Sequence, residues 1–237
     1  PAKIVGAPTI GELLREAGYR TLFSGKHHGT ENPYDRGFDR YFGLRDGACN
    51  YFNPGLAREG EPAPAQKRQD RAWCVDGETL RPFTPTSPDF YTTDAFTDNA
   101  IRFIKEENAG KDRPFFLYLA YTSPHWPLHA HQEEVQKYIG KYKMGWDALR
   151  EQRLKRQREL GLIDENWKLS ERSHVAWEEM DEAKKTEMDL RMANYAAMID
   201  RMDQNIGNLV AYLKESGQLD STLIMFFSDN GACQEGG

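Results

Sequence analysis

The sequence predicts an α/β layered fold with a mostly parallel sheet flanked by helices, and three observations predict it. Three times along the chain a stripe of apolar residues at helical spacing ends at a glycine and is followed by an apolar run of strand length. The runs are apolar at consecutive positions, which suits strands covered by helices on both faces. Each run passes at its carboxyl end into Lys and His, or into Asp and Asn, the edge at which open parallel sheets bind their ligands.

The first unit is "PTIGELLREAGYRTLFSG". Ile10, Leu13, Leu14 and Ala17 lie on one helical face, Gly18 stops the helix, and "YRTLFSG" is rich in strand formers. In the second, "TTDAFTDNAIRFIKEENAG" places Phe96, Ala100, Ile101, Phe103 and Ile104 on a helix ending near Gly110, ahead of the strand "RPFFLYLAYTSP". In the third, "NYAAMIDRMDQNIGNLVAYLKESG" carries Tyr195, Met198, Ile199, Met202, Ile206, Leu209, Val210 and Leu213 on one stripe, ends at Gly217, and delivers a closing strand from Thr222 to Phe227. Between the units, "NPGLAREGEPAPAQKRQDRAW" reads as an exposed loop, and a densely charged helical insertion covers about residues 141–188. Its basic cluster "REQRLKRQR" is flanked by acids, which makes a solvated helix face the better reading than a nucleic-acid patch.

Composition narrows the function classes. With 237 residues, of which 39% are hydrophobic and 12% aromatic, the chain can bury a sizeable core, and its length leaves one or two domains open. No apolar stretch approaches the roughly 18 residues of a membrane span, and no leader pattern opens the chain, which begins with Pro1 rather than Met. A net charge of -6 with both signs interspersed argues against a nucleic-acid surface and for a small partner. Cys49, Cys74 and Cys233 form neither an even framework nor a CxxC pair, so neither a disulfide nor a thiolate metal site is expected.

The strand ends carry the candidate chemistry. In "GKHHGT", Lys26 beside His27 and His28 fits an anion site, since a cation about 4 Å from a unit negative charge contributes on the order of 4 kcal/mol at intermediate dielectric. A surface lysine and a hydrogen-bonded histidine fit the same residues. His125 sits between two prolines in "SPHWP", either to fix its imidazole or because the segment is a packed turn. His129 and His131 alternate on an extended loop and so point apart, which argues against a metal pair. Asp229 and Asn230 offer hard oxygens suited to Ca²⁺, less to Mg²⁺, or form a cap or turn; a full site needs about six oxygens.

"GYRTLFSGKHHG", "GFDRYFG", "SPHWPLH", "YAAMIDRMDQNIGNL" and "SDNG", in that order, resemble the sulfatase family, especially its arylsulfatase-like members, and the resemblance covers nearly the whole chain. It implies an incomplete alkaline-phosphatase-like fold, with residues 1–237 forming part of a single sulfatase catalytic domain. It further implies hydrolysis of a sulfated small molecule or carbohydrate, with a bound Ca²⁺ and a formylglycine nucleophile. Lys26 would bind sulfate, His28 would act as a base, His125 would contact sulfate and protonate the departing alcohol, and Asp229 and Asn230 would be calcium ligands. A phosphate or phosphonate monoester hydrolase and a non-catalytic anion- or glycan-binding protein are the alternatives. The resemblance also suggests a periplasmic or secreted protein.

Two departures accompany the resemblance. The family reads Gly-Lys-Trp-His-Leu-Gly, whereas here Lys26 is followed by His27, His28 and Gly29, one residue short, and spacing favours His28 for the base. No Cys or Ser stands in a Cys/Ser-x-Pro-x-Arg context, so the nucleophile is expected outside this chain, which would be an interior fragment, inactive alone.

Overall fold

The computed structural model describes residues 5–231, and Cys233 lies outside them. The chain divides into two compact units, one made of Pro1–His129 with Arg201–Gly237 and the other of Ala130–Asp200.

The first unit is built on a five-stranded sheet of β1 (Arg20–Gly25), β2 (Arg40–Leu44), β3 (Trp73–Val75), β4 (Glu78–Leu80) and β5 (Phe115–Ala120), in the order β4-β3-β2-β1-β5. β1 runs parallel to both β2 and β5, while β2–β3 and β3–β4 are antiparallel, so the sheet is mixed. Side chains alternate across it. Leu22, Phe42, Leu44 and Trp73 face one core together with Phe96, Phe103 and Ile104 of α2 (Thr92–Glu106) and Leu213 of α5 (Glu182–Glu215). Phe23, Phe38, Tyr41 and Cys74 form a second core. Neighbouring residues such as Leu22 and Phe23 thus bury opposite faces, which the period of two along a strand requires. Each fully buried Phe contributes roughly 1.5–3 kcal/mol, and Phe96 and Phe103 are both at 0% exposure.

The helix that leads into β1 is α1 (Ile10–Glu16), opened by a capping box. Thr9 Oγ1 accepts from the Glu12 N–H at 3.1 Å and Glu12 Oε2 accepts from the Thr9 N–H at 2.7 Å. Arg36 donates to the Glu12 carboxylate at 2.9 Å, and mainly through that bond Glu12 is lowered to about 2.

Two expectations about strands need correcting. Thr222–Phe227 does not join the sheet: it forms no strand, with Leu223 83% and Phe226 74% exposed. An apolar run makes a strand only where another strand takes up its backbone N–H and C=O groups, and none among the described residues does so here. β5 is also less buried than its composition suggests, because it lies at the sheet edge, where Tyr118 is 40% exposed. The sequence reading did not separate out the β3–β4 hairpin. It turns on Asp76 and Gly77, with Asp76 at φ 50° and its carboxylate accepting from the Tyr41 N–H at 2.9 Å.

The second unit is helical, with α3 (Gln132–Gln136), α4 (Gly145–Glu159) and the first part of α5. The charged stretch at 141–188 falls inside it, and "REQRLKRQR" lies on α4 with most of its side chains in water. Asp189 is buried and accepts from the N–H groups of Gly140 at 2.7 Å and Tyr142 at 2.9 Å. Trp146 and Trp177 meet edge to face at 5.2 Å. Among the described residues no helix is long and apolar enough to cross a membrane.

Candidate active site

The site forms where β1 leaves the sheet. Gly25 has φ +128°, and a Cβ there would stand 2.6 Å from the Ala120 carbonyl carbon and nearer still to its oxygen. A Cβ on Gly43 would meet Gly25 in the same way, 2.7 Å from its carbonyl carbon. The backbones of β5, β1 and β2 therefore close up at this point, which only glycine permits. Beyond it the chain stays laced to its neighbours. The Lys26 N–H donates to Ala120 O at 2.8 Å, the His27 N–H to Leu44 O at 2.8 Å, and the Gly29 N–H to Arg45 O at 3.0 Å.

This lacing sends the two adjacent histidines to different surroundings. His27 meets Phe23 edge on at 6.1 Å, and the charges acting on it are those of Glu31, Arg45, His28 and Arg36. His28 takes a left-handed backbone, φ 57°, and its Nε2 lies 2.7 Å from where a Gly47 Cβ would be. Burial lowers the His28 pKa first, and the charges of Lys26, His125 and Arg71 lower it further. Lys26, His28 and His125 are thus brought into one electrostatic neighbourhood.

His125 is held by its backbone on both sides. Its N–H donates to Thr122 O at 2.9 Å and its carbonyl accepts from the Tyr51 hydroxyl at 2.9 Å. The Ser123–Pro124 and Trp126–Pro127 bonds that flank it are both cis. Its Nδ1 lies 2.7 Å from Trp126 O. A carbonyl can only accept, so Nδ1 carries the proton, and in the neutral ring Nε2 is the basic nitrogen.

His129 is a packing residue. Its ring lies 6.3 Å from Tyr51 and 6.1 Å from Phe52, its Nδ1 accepts from the Tyr51 N–H at 3.4 Å, and its carbonyl accepts from the Tyr91 hydroxyl. His131 is the N-cap residue of α3. Burial lowers the His129 pKa below its ordinary 6.5. The unfolded chain then binds more protons than the folded one as pH falls below about 6.5, so this contribution is complete above that pH and is lost toward the lower folded value. Urea midpoints of His129→Gln followed from pH 7 to pH 5 should fall less steeply than those of the parent.

Cys49 and Cys74 are buried free thiols. Burial pushes Cys49 up to about 12 against the opposing charges of Arg71 and Lys26, leaving it protonated and unreactive at neutral pH.

Asp229 and Asn230 are exposed, and their turn closes on itself, with Ser228 Oγ donating to Asn230 O at 2.7 Å and Asn230 Nδ2 donating to Gly231 O at 2.7 Å. The Asp229 carboxylate reaches Tyr118 on β5, whose phenol is raised first by burial and then by that charge. As hard oxygen donors the pair suits calcium chemically. In number it does not complete a site, which takes about six oxygens. Among the described residues no group of three or more His, Cys, Asp or Glu is gathered to hold a metal.

Sequence reasoning missed Tyr51, Gly47 and Arg71. Their part depends on contacts across the fold, and only the Arg-rich run before Trp73 hinted at one of them.

Relatives can be weighed against the parallel strands β1 and β5, the first leading into Lys26 and His28 and the second toward His125. The sequence profile of the sulfatase family matches residues 2–236. The chain belongs to the sulfatase family. It is 38% identical to an uncharacterized sulfatase of Schizosaccharomyces pombe, over 94% of this chain and 40% of that protein. To the arylsulfatase of Klebsiella aerogenes it is 32% identical, over 94% of this chain and 47% of that protein. Among solved structures it resembles Ps i-CgsB in complex with k-i-k-neocarrahexaose, at 25% identity and TM-score 0.53, over 92% of this chain and 39% of that one. The sulfatase chain described here thus spans less than half the length of these relatives.

The packing of His28 on Gly47 gives a direct test of which histidine serves the site. Gly47→Ala should displace His28 and lower activity of the full-length protein about tenfold or more. Gly29→Ala, whose Cβ would meet the His27 ring with Cδ2 at 2.6 Å, should disturb His27 instead. Steady-state kinetics of both variants, compared at equal stability, check this.

Proposed function

We propose that the protein to which this chain belongs hydrolyses sulfuric esters of small molecules or carbohydrates. The observation that carries the reading is that β1 leads into Lys26 and His28 while β5, its parallel neighbour, leads toward His125, in a member of the sulfatase family. Lys26 supplies a fixed positive charge for the sulfuryl oxygens, which gain negative charge as the ester bond breaks. Its lowered pKa keeps the His28 imidazole neutral at physiological pH, as a base must be. His125, oriented by Trp126 O, would give a proton from Nε2 to the departing alcohol when its ring is doubly protonated, and be left neutral with the proton on Nδ1.

Asp229 and Asn230 would give two oxygen ligands to Ca²⁺, which would draw charge from the sulfate; the formylglycine nucleophile would come from outside this chain, and the chain by itself would then be inactive. Residues 1–237 form, on this reading, part of one catalytic domain with the helices of about 141–188 inserted in it.

The test is turnover by the full-length protein of 4-nitrophenyl sulfate against 4-nitrophenyl phosphate. A clear preference for the sulfate is expected. Preference for the phosphate would move the assignment to phosphoryl transfer, and binding of the sulfate without turnover would make it an anion-binding protein.

A further inference from the structure

The loop before β3 is crowded with arginines, and their partners can be traced one by one. Asp46 accepts from the Ala72 N–H at 2.9 Å and lies 3.9 Å from Arg68 and 3.6 Å from Arg81. Arg68 also holds Asp70 at 2.9 Å. Asp46 and Asp70 are thereby engaged with other groups, and Asp76 is held by Arg40 and the Tyr41 N–H. Arg71 itself makes no ion pair or hydrogen bond among the described residues, and its Nε is buried without a partner. Arg20, Arg45 and Arg158 bury an unpartnered Nε as well, and a sealed Nε cannot itself meet a ligand, so an acceptor would approach Arg71 through the terminal nitrogens of its half-buried guanidinium.

The backbone places this arginine beside the catalytic candidates. The Gly29 N–H donates to Arg45 O at 3.0 Å and the Arg45 N–H donates to Ala72 O at 2.9 Å, so the segment carrying His28 and the one carrying Arg71 flank the same connecting residue at one end of the sheet. The charge of Arg71 acts on Cys49 more strongly than that of Lys26 does, whereas on His28 the order is reversed. In a chain of net charge -6, Arg71 and Lys26 bring two positive charges to this end of the sheet.

We propose that Arg71 is an anion-recognition residue that receives a second oxyanion, a sulfate or carboxylate, carried by the substrate beside the ester that is cleaved. This rests on reading Lys26, His28 and His125 as the pocket for the reacting sulfate. The planar fork of a guanidinium matches such oxyanions with two parallel N–H donors, and a lysine in its place cannot. The preferred substrate is then at least doubly anionic, and a neutral aryl leaving group leaves Arg71 unused.

The test measures binding of benzenesulfonate, benzene-1,3-disulfonate and naphthalene-2,6-disulfonate to the full-length protein by calorimetry, beside turnover of 4-nitrophenyl sulfate. The parent should bind the better disulfonate roughly 10- to 100-fold more tightly than the monosulfonate. Arg71→Gln should erase that difference while monosulfonate binding stays within about twofold, and Arg71→Lys should restore it only in part. Equal binding of mono- and disulfonates by the parent would overturn the proposal. So would an Arg71→Gln variant that loses both ligands alike, which would put Arg71 on the reacting sulfate, or one that loses neither. Absent turnover of 4-nitrophenyl sulfate with the disulfonate preference intact would count against the hydrolase reading and leave the assignment of Arg71 standing.

Discussion

Lys26→Ala should lower kcat/KM of the full-length protein for an aryl sulfate by about 10²- to 10³-fold, the range found when one preorganised charge stabiliser is removed from a pocket. The substitution leaves the fold in place, because Lys26 is tied to Ala120 O through its backbone N–H. If Asp229 and Asn230 hold Ca²⁺ as proposed, calcium affinity should stay nearly unchanged, since on that reading the Lys26 charge acts on the sulfuryl group. A second signature separates loss of charge from loss of shape. Burial and then the Lys26 charge depress the His28 pKa, so the neutral base persists to pH values below the ordinary 6.5. Without the Lys26 charge the His28 pKa rises, and the acidic limb of the kcat/KM profile should move to higher pH. Lys26→Arg should keep that limb near its original position even if it turns over slowly. Equal activity of Lys26→Ala and the parent would remove Lys26 from the mechanism.

The parts of this protein legible in the sequence are those fixed by local period. The helices Ile10–Glu16 and Thr92–Glu106 each end where a glycine or charged cluster breaks the stripe, and the strands after them, Arg20–Gly25 and Phe115–Ala120, pair in parallel as the repeated order implies. β3 and β4 were not legible, because three residues each are too few to show alternation within a charged loop. Thr222–Phe227 was over-read for the opposite reason: its apolar run states a preference for burial, and pairing depends on what lies beside it. At the site, Lys26 and the histidines were readable as residue types at strand ends. What told His27 from His28 was a backbone angle and the neighbours Phe23 and Gly47, which spacing does not encode. Arg71 was unreadable in a more basic way, since whether a guanidinium has a partner is a property of the folded arrangement and not of the run "QKRQDRAW".

Gly25→Ala should be strongly destabilising at the site's edge, costing on the order of 2–6 kcal/mol. Two terms add. The backbone at φ +128° is one that side chains rarely adopt, which costs about 1–3 kcal/mol. The added methyl would also meet the Ala120 carbonyl group, with Ala120 C at 2.6 Å and Ala120 N at 2.9 Å, at a residue directly paired with Gly25 in the β1–β5 ladder. That contact is backbone, which cannot rotate away, so β5 must move, at the roughly 1–3 kcal/mol typical of overpacking. The shift would break the bond from the Lys26 N–H to Ala120 O and displace the segment that carries His125, so activity should fall together with stability. Gly18→Ala isolates the conformational term, because Gly18 has φ +91° and nothing within 4 Å of its added Cβ. For a protein of this size or larger, with roughly 2–4 °C lost per kcal/mol, Gly25→Ala should melt about 10 °C below the parent and Gly18→Ala only a few degrees below it. Matching melting temperatures for the two variants would mean that the close approach of β1 and β5 carries no cost, and the steric basis for a glycine before Lys26 would fail with it.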